Sequence, residues 1–261
     1  MKKIRDIKIN GDDRNLSIDR VGVTSVLLPL KVPDRTRRFQ VITAMVNAYI
    51  GLPYHERGAH MSRFIEVLND YTNKILTLRR INSLLMTMQK KLHAEDIYFD
   101  MTFIFFKEKT APITKYQSLL DYQCKIEGQR NNKSSRVFLI INVPVLNLCP
   151  ASKAISRTSS HNQRAVVTIT IEPKKTTFFE DLIELAEKEA SAELFALLKL
   201  EDEKYITEMS YENPKFVEDT VRDIALKLAR DDRFKSWSVS CENQESIHTH
   251  NVYAKIERKS P

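Results

Sequence analysis

Glycine is scarce in this 261-residue chain, with only 5 against 9 prolines. Neither GxGxxG nor GxxxxGKS/T occurs, which disfavours the glycine-built phosphate loops of dinucleotide-binding and P-loop proteins. Cysteine is almost as sparse. Cys124, Cys149 and Cys241 are odd in number and widely spaced, which does not make a disulfide framework. No apolar run approaches the roughly 18 residues needed to cross a bilayer. The start Met1-Lys2-Lys3-Ile4-Arg5 leads into polar sequence, without the apolar segment of roughly 7–15 residues that marks a secretory signal. A reduced, cytoplasmic protein with no membrane partner is expected.

What is present is ordinary globular usage: 42% hydrophobic and 29% charged residues, which excludes a disordered or fibrous chain. Lys+Arg 41 exceed Asp+Glu 34, for a net charge of +7. The bases are mostly interleaved with acids, and the densest clusters are as short as Arg35, Arg37 and Arg38 or Lys90-Lys91. A polyanionic small substrate explains that surplus as well as nucleic acid does, and nucleic acid is not expected as a partner.

Hydrophobic periodicity orders the chain. Residues 1–18 read as a polar arm. Val21–Val32 is β-branched and leucine-rich, with Pro29 demoting it to an irregular or edge strand. Phe39–Ile50 alternates as a strand does. Between 61 and 91 the apolar residues recur at three- and four-residue steps, predicting two amphipathic helices with a break at Asp70–Asn73. Ile97–Phe106 and Leu119–Ile126 return to strand character. After the polar stretch Gln129–Ser134 the order repeats, with strands over Val137–Leu148 and Ala165–Ile171. Helices are expected over Phe178–Leu198, with Thr176-Thr177 as cap, and from Asn213-Pro214 to about Ala229. Strands over Phe234–Cys241 and Asn251–Ile256 close the chain. Strand-strand-helix-helix-strand-strand occurring twice, with locally paired strands, predicts an α+β fold with helices on one sheet face.

Four stretches carry residues suited to chemistry. In Asn147-Leu-Cys-Pro-Ala-Ser-Lys153, Cys149 sits before proline at a strand end, and His161 follows twelve residues later. Sulfur and imidazole could converge on a divalent transition metal; taken alone, the pair reads more plainly as a core cysteine and a loop histidine. Carboxylates cluster in Glu201-Asp202-Glu203 and Glu218-Asp219, where a solvated helix face is the plainer reading. His248 and His250 are two apart, which on a strand would point both rings to one face. His60, Ser62 and Arg63 stand at a helix start whose first-turn amides could hold phosphate oxygens, or simply cap the helix.

In this order, and with the motifs Gly58-Ala-His-Met-Ser-Arg-Phe64, Lys109-Thr-Ala-Pro112, Ser118-Leu-Leu-Asp-Tyr122, Cys149-Pro150, His161-Asn-Gln-Arg164, Asp202-Glu-Lys-Tyr205, Glu212-Asn-Pro-Lys-Phe-Val-Glu-Asp219 and Glu245-Ser-Ile-His248, the chain resembles the prokaryotic type IB GTP cyclohydrolases over nearly its whole length. The resemblance implies a tunnelling fold with two modules per subunit, 1–131 and 132–261. The second would carry most of the metal and purine site, and subunits would form a homotetramer with sites at interfaces. It implies conversion of GTP and water to 7,8-dihydroneopterin triphosphate and formate, the first step of folate-type pterin synthesis. By the same resemblance, Cys149, His161 and Glu203 would hold zinc, manganese or ferrous iron. Glu218 would grip the purine and His248 would move protons, while His60, Ser62, Arg63 and Lys109 would meet the triphosphate. One position departs from the family. Ala151 stands where the family's Cys-Pro-Cys-Ser-Lys has its second cysteine, a catalytic position thought to contact the reacting purine. An inactivated or non-catalytic purine- or pterin-binding relative is therefore the alternative. An archaeal-type cyclohydrolase with a cyclic phosphate product is the other.

Overall fold

The computed structural model describes residues 14–258. Most of the polar arm expected over 1–18 lies outside them. The elements are β1 (Ile18–Asp34), β2 (Arg38–Leu52), α1 (Met61–Asn69), α2 (Leu78–Leu92), β3 (Ile97–Thr110), β4 (Gln117–Arg130), β5 (Ser135–Leu148), α3 (Pro150–Ile155), β6 (Asn162–Pro173), α4 (Phe179–Lys188), β7 (Ala192–Glu193), α5 (Leu200–Glu212), α6 (Val217–Arg230), β8 (Phe234–Asn243) and β9 (Val252–Arg258). The chain divides into two compact units, 1–103 with 125–138, and 104–124 with 139–261. The turn at 131–134 lies inside the first unit, because β3, β4 and β5 each give one end to each unit.

In the first unit the strands hydrogen-bond in the order β1-β2-β3-β4-β5. The helices α1 and α2 lie between β2 and β3, which pair antiparallel from Met45 opposite Thr102 to Ile50 opposite Ile97. Alternation in β2 buries Ile42, Ala44, Val46, Ala48 and Ile50. Three- and four-residue spacing in the helices buries Phe64, Val67 and Leu68 of α1, and Ile81, Leu84, Leu85, Met88 and Leu92 of α2. Gly128 lets α2 come close, since a Cβ there would stand 3.0 Å from Leu85 Cδ1. The edge strand β1 is irregular, as Pro29 suggested, but the irregularity lies earlier. The register shifts between Val23 and Val26, where Ser25 takes φ 56° and donates its amide to Asn47 Oδ1 at 2.9 Å.

The second unit repeats the scheme with additions. Its strands run β3-β4-β5-β6-β8-β9, and β7 pairs with β5. β6 and β8 pair antiparallel, Ala165 opposite Asn243, with the helices inserted between them in sequence. α4 buries Phe179, Leu182, Ile183 and Ala186; α6 buries Val217, Val221, Ile224, Ala225 and Leu228 and packs against β8 and β9.

Three expectations are corrected here. The helix expected over Phe178–Leu198 ends at Lys188, because Ala192 and Glu193 pair with Leu146 and Val145 and Ser191 accepts the Leu148 amide at 3.1 Å. Tertiary pairing overrides local helical preference there. Residues 200–212 form α5, but Asp202, expected on a solvated helix face, is buried. The last helix starts at Val217, after rather than at Pro214, because the Phe216 amide bonds Asp219 Oδ2 at 3.0 Å. No helix among the described residues is long and apolar enough to cross a membrane.

Candidate active site

The antiparallel pairing of β5 with β6 brings Cys149 and His161 together. Leu148 faces Asn162 in the ladder, and one step beyond it the Cys149 amide donates to the His161 carbonyl at 3.1 Å. The Ser160 hydroxyl closes the same loop by donating to the Cys149 carbonyl at 2.7 Å. The twelve-residue spacing is thus spanned by a strand end, the short helix α3 and a return. Cys149 occupies the N-cap of α3, and its sulfur accepts the Ser152 amide at 3.4 Å. All three cysteines are free, but only Cys149 is half-exposed. Burial pushes the Cys241 thiol up to about 12 and the Cys124 thiol well above its ordinary value.

His161 is held by two further side chains. Its Nδ1–H donates to Gln163 Oε1 at 2.9 Å, and Glu245 Oε2 lies 3.8 Å from the same nitrogen. With the proton fixed on Nδ1, the lone pair sits on Nε2, the arrangement a metal-binding histidine needs. A thiol and an imidazole lone pair at one strand end therefore fit a divalent transition metal. Glu203 is not brought to them. It is exposed on α5, and among the described residues no group of three His, Cys, Asp or Glu could hold a metal ion. Glu203 does share a helix face with Thr207, which lines a cavity of about 330 Å³ together with Tyr211, Leu148, Ser160 and Asn162, the last two flanking His161.

Its neighbour Asp202 has a different task. Fully buried, it accepts the amides of Ile113 (2.8 Å) and Thr114 (2.9 Å), the Thr114 hydroxyl (2.6 Å) and the Lys199 amide (3.0 Å). Burial pushes its carboxyl up, and those hydrogen bonds together outweigh it and hold the group well below the usual carboxylate range. Asp202 caps α5 and ties it to the 111–116 turn.

Glu218 stands exposed in the first turn of α6. His248 and His250 belong to the loop between β8 and β9, not to a strand, so alternation does not place them. Their rings stack instead, centroids 5.1 Å apart and 18° from parallel. Ala151 is exposed in the first turn of α3. In the first unit, His60 precedes α1, Ser62 is exposed, and Arg63 Nη1 reaches the Lys91 carbonyl at 3.5 Å. Lys109, in the second unit, is 4% exposed and enclosed: Nζ is 2.7 Å from Glu187 Oε1, pairs with Glu193 and lies over the Phe195 ring at 4.8 Å. Tyr122 donates to the same Glu187 oxygen at 2.6 Å. The Lys109 cation is neutralised within the unit.

Asn147 and Gln163, which face each other across the β5–β6 ladder, had no role in the sequence reading. Both continue the inward phase of their strands, after Val143 and Val145 and before Ala165 and Val167. A polar side chain in step with buried apolar ones was the available signal.

Comparison with known proteins gives the fold and then the family. The solved structures define the fold. A uricase from Arthrobacter globiformis matches with a TM-score of 0.54 at 10% identity, over 93% of this chain and 94% of its own. Urate oxidase from Bacillus subtilis matches at 0.52 and 11%, over 94% and 98%. The α+β architecture is that of the tunnelling-fold proteins. The sequence matches define the family. The model of type I GTP cyclohydrolase FolE2 covers residues 4–254. GTP cyclohydrolase FolE2 of Nitrosococcus oceani is 43% identical over 99% of this chain and 96% of its own length, and that of Nitrosospira multiformis 44% over 97% and 96%. The chain belongs to the type I GTP cyclohydrolase FolE2 family, and that designation takes the place of the type IB resemblance drawn from the motifs.

Proposed function

We propose that this chain opens the guanine ring of GTP by hydrolysis, releasing formate and leaving 7,8-dihydroneopterin triphosphate, the entry step of folate-type pterin synthesis in the cytoplasm. The observation that carries the reading is the pairing of Cys149 with His161 at the β5–β6 strand ends, with Gln163 fixing the imidazole tautomer. Cys149 and His161 would hold a zinc, manganese or ferrous ion; Glu203, which is not brought to them, would become the third ligand only if α5 moves toward the β5–β6 strand ends. Such an ion supplies Lewis acidity and makes water a stronger acid near neutral pH.

The other steps belong to side chains of this chain. The Glu218 carboxylate accepts from both guanine N1–H and the 2-amino group, a two-point grip that adenine cannot match. His248 delivers and removes protons as the ring opens. His60, Ser62 and Arg63 meet triphosphate oxygens, and Lys109 joins them only by exchanging Glu187 and Glu193 for phosphate. Subunits assemble as a tetramer in which these groups meet across interfaces.

Ala151 favours a second reading, in which the chain binds purine or pterin without turnover, since a methyl group cannot relay a proton. Incubating the metal-reconstituted chain with GTP separates the two. Formate release together with a product of the mass of 7,8-dihydroneopterin triphosphate supports catalysis; GTP binding without formate supports the binder. Running Ala151→Cys alongside shows whether the thiol matters: equal rates mean it is dispensable here.

A further inference from the structure

We infer that Asn147 is a positioning residue that sets the distance between the Cys149–His161 pair and the segments carrying Glu218 and Glu245. Asn147 is fully buried, and each part of its amide is engaged by a different element. Its Nδ2 donates to Asn243 Oδ1 at 2.9 Å and points at Cys241 Sγ at 3.8 Å. Its Oδ1 accepts the Ser191 amide at 3.4 Å and the Thr220 hydroxyl at 3.3 Å.

The partners matter because of where they sit in the chain. Thr220 is two residues past Glu218 in the first turn of α6. Asn243 is two residues before Glu245, whose carboxylate approaches His161. Ser191 also receives the Leu148 amide, next to Cys149. Asn147 itself is two residues before Cys149 and opposite Gln163, the residue that orients His161. One side chain therefore links β5, the approach to β7, α6 and β8 at the end of the unit where the candidate groups collect. Two more bonds brace the same corner: the Lys215 amide donates to the Leu148 carbonyl at 3.0 Å, and Asn213 Nδ2 to the Ala190 carbonyl at 2.9 Å.

The physical argument is one of necessity and geometry. A fully buried amide with one partner removed leaves an unsatisfied polar group, so the network holds a single arrangement rather than several. An apolar residue in this phase of β5 would fill the same space but could not fix four elements at bond-length tolerance. Shifts of about 1 Å in a reacting group can cost on the order of a hundredfold in rate.

The inference rests on the proposed cyclohydrolase reading for its kinetic arm only, and a second arm is independent of it. In the metal-free full chain, alkylation by iodoacetamide is followed at each cysteine by peptide mass. Asn147→Ala is expected to change the Cys149 labelling rate by about tenfold or more, since a displaced strand end alters the exposure and orientation of the sulfur. Cys124, 1% exposed and remote from the network, reports folding and stays protected. A wild-type Cys149 rate in Asn147→Ala overturns the inference, whether or not the chain acts on GTP.

Thr220→Val serves where Asn147→Ala exposes Cys124 and so unfolds. It detaches only the α6 arm, and is expected to raise KM for GTP about tenfold with kcat changed less than about threefold, Cys149 labelling staying at the wild-type rate. Ser236→Ala is the control, a buried hydroxyl at the other end of β8 bonded to Glu172, and leaves both readouts unchanged. If Thr220→Val matches Ser236→Ala in KM, the network does not position Glu218. If the wild type releases no formate, the functional reading fails while the labelling result still decides Asn147.

Discussion

The two units are built from the same strand and helix scheme but have different interiors. Among the described residues, every buried polar or charged side chain except Asp34 lies in the second unit. The first unit is closed by Phe64, Ile81, Leu85 and Met88 of its helices and by the buried face of β2, and Asp34 accepts from Thr36, Arg37 and Gln40 of its own turn. The second unit buries Lys109, Asn147, Gln163, Glu187, Asp202 and Thr220, and nearly all of these contact a motif residue or hold the loop beside one. Apolar packing makes a module; the polar interior fixes the arrangement of a site on it.

Truncating each interior tests that contrast. Phe64→Ala in the first unit is expected to cost about 4 kcal/mol, the scale for emptying a large core site, read from chemical denaturation. Its effect on Cys149 labelling should be nil. Glu187→Ala in the second unit is expected to cost about 3 kcal/mol, because Lys109 loses the buried one of its two carboxylates and Tyr122 its acceptor. If Glu187→Ala is as stable as the wild type, the buried ion network contributes nothing and the contrast between the units fails. Gly22→Ala in the first unit should cost about 2 kcal/mol by overpacking, since the added Cβ would meet the Ala48 carbonyl oxygen on the paired strand. A neutral result there would mean that β1 shifts freely along β2.

The smallest expected effect is confined to acid pH. The folded-state carboxyl of Asp202 is depressed, so its contribution is complete above the ordinary value of 3.8 and is lost as pH falls from there toward the folded value. Asp202→Asn should therefore be less stable than wild type near neutral pH and converge with it as pH falls below about 4. Parallel stability curves for the two chains would remove Asp202 from the acid response.

The sequence was most legible where one physical signal acted alone. Strict alternation located β2, three- and four-residue recurrence located α1 and α2, and the Asn213-Pro214 start signal announced α6. Where side chains answered to tertiary partners, the local pattern misled. Ala190 to Leu198 has helical residues, yet Ser191 and β7 are claimed by β5. α5 has no clean apolar face, so its acids read as a surface cluster although Asp202 is buried. The β5–β6 convergence of Cys149 and His161 was foreseeable from motif order. Gln163 and Asn147 were not given roles, because a buried amide is recognised only once the inward phase of its strand is known. His248 and His250 stack in a loop, which two-residue spacing on a strand does not describe.

The central claim is that ring opening occurs at the Cys149–His161 pair, and formate release from GTP by the metal-loaded full chain, wild type against Cys149→Ala, tests it most directly. Continuous formate release by the wild type, with a loss of at least about a hundredfold in the variant at unchanged folding, is the predicted result. Equal formate release by both chains would contradict it.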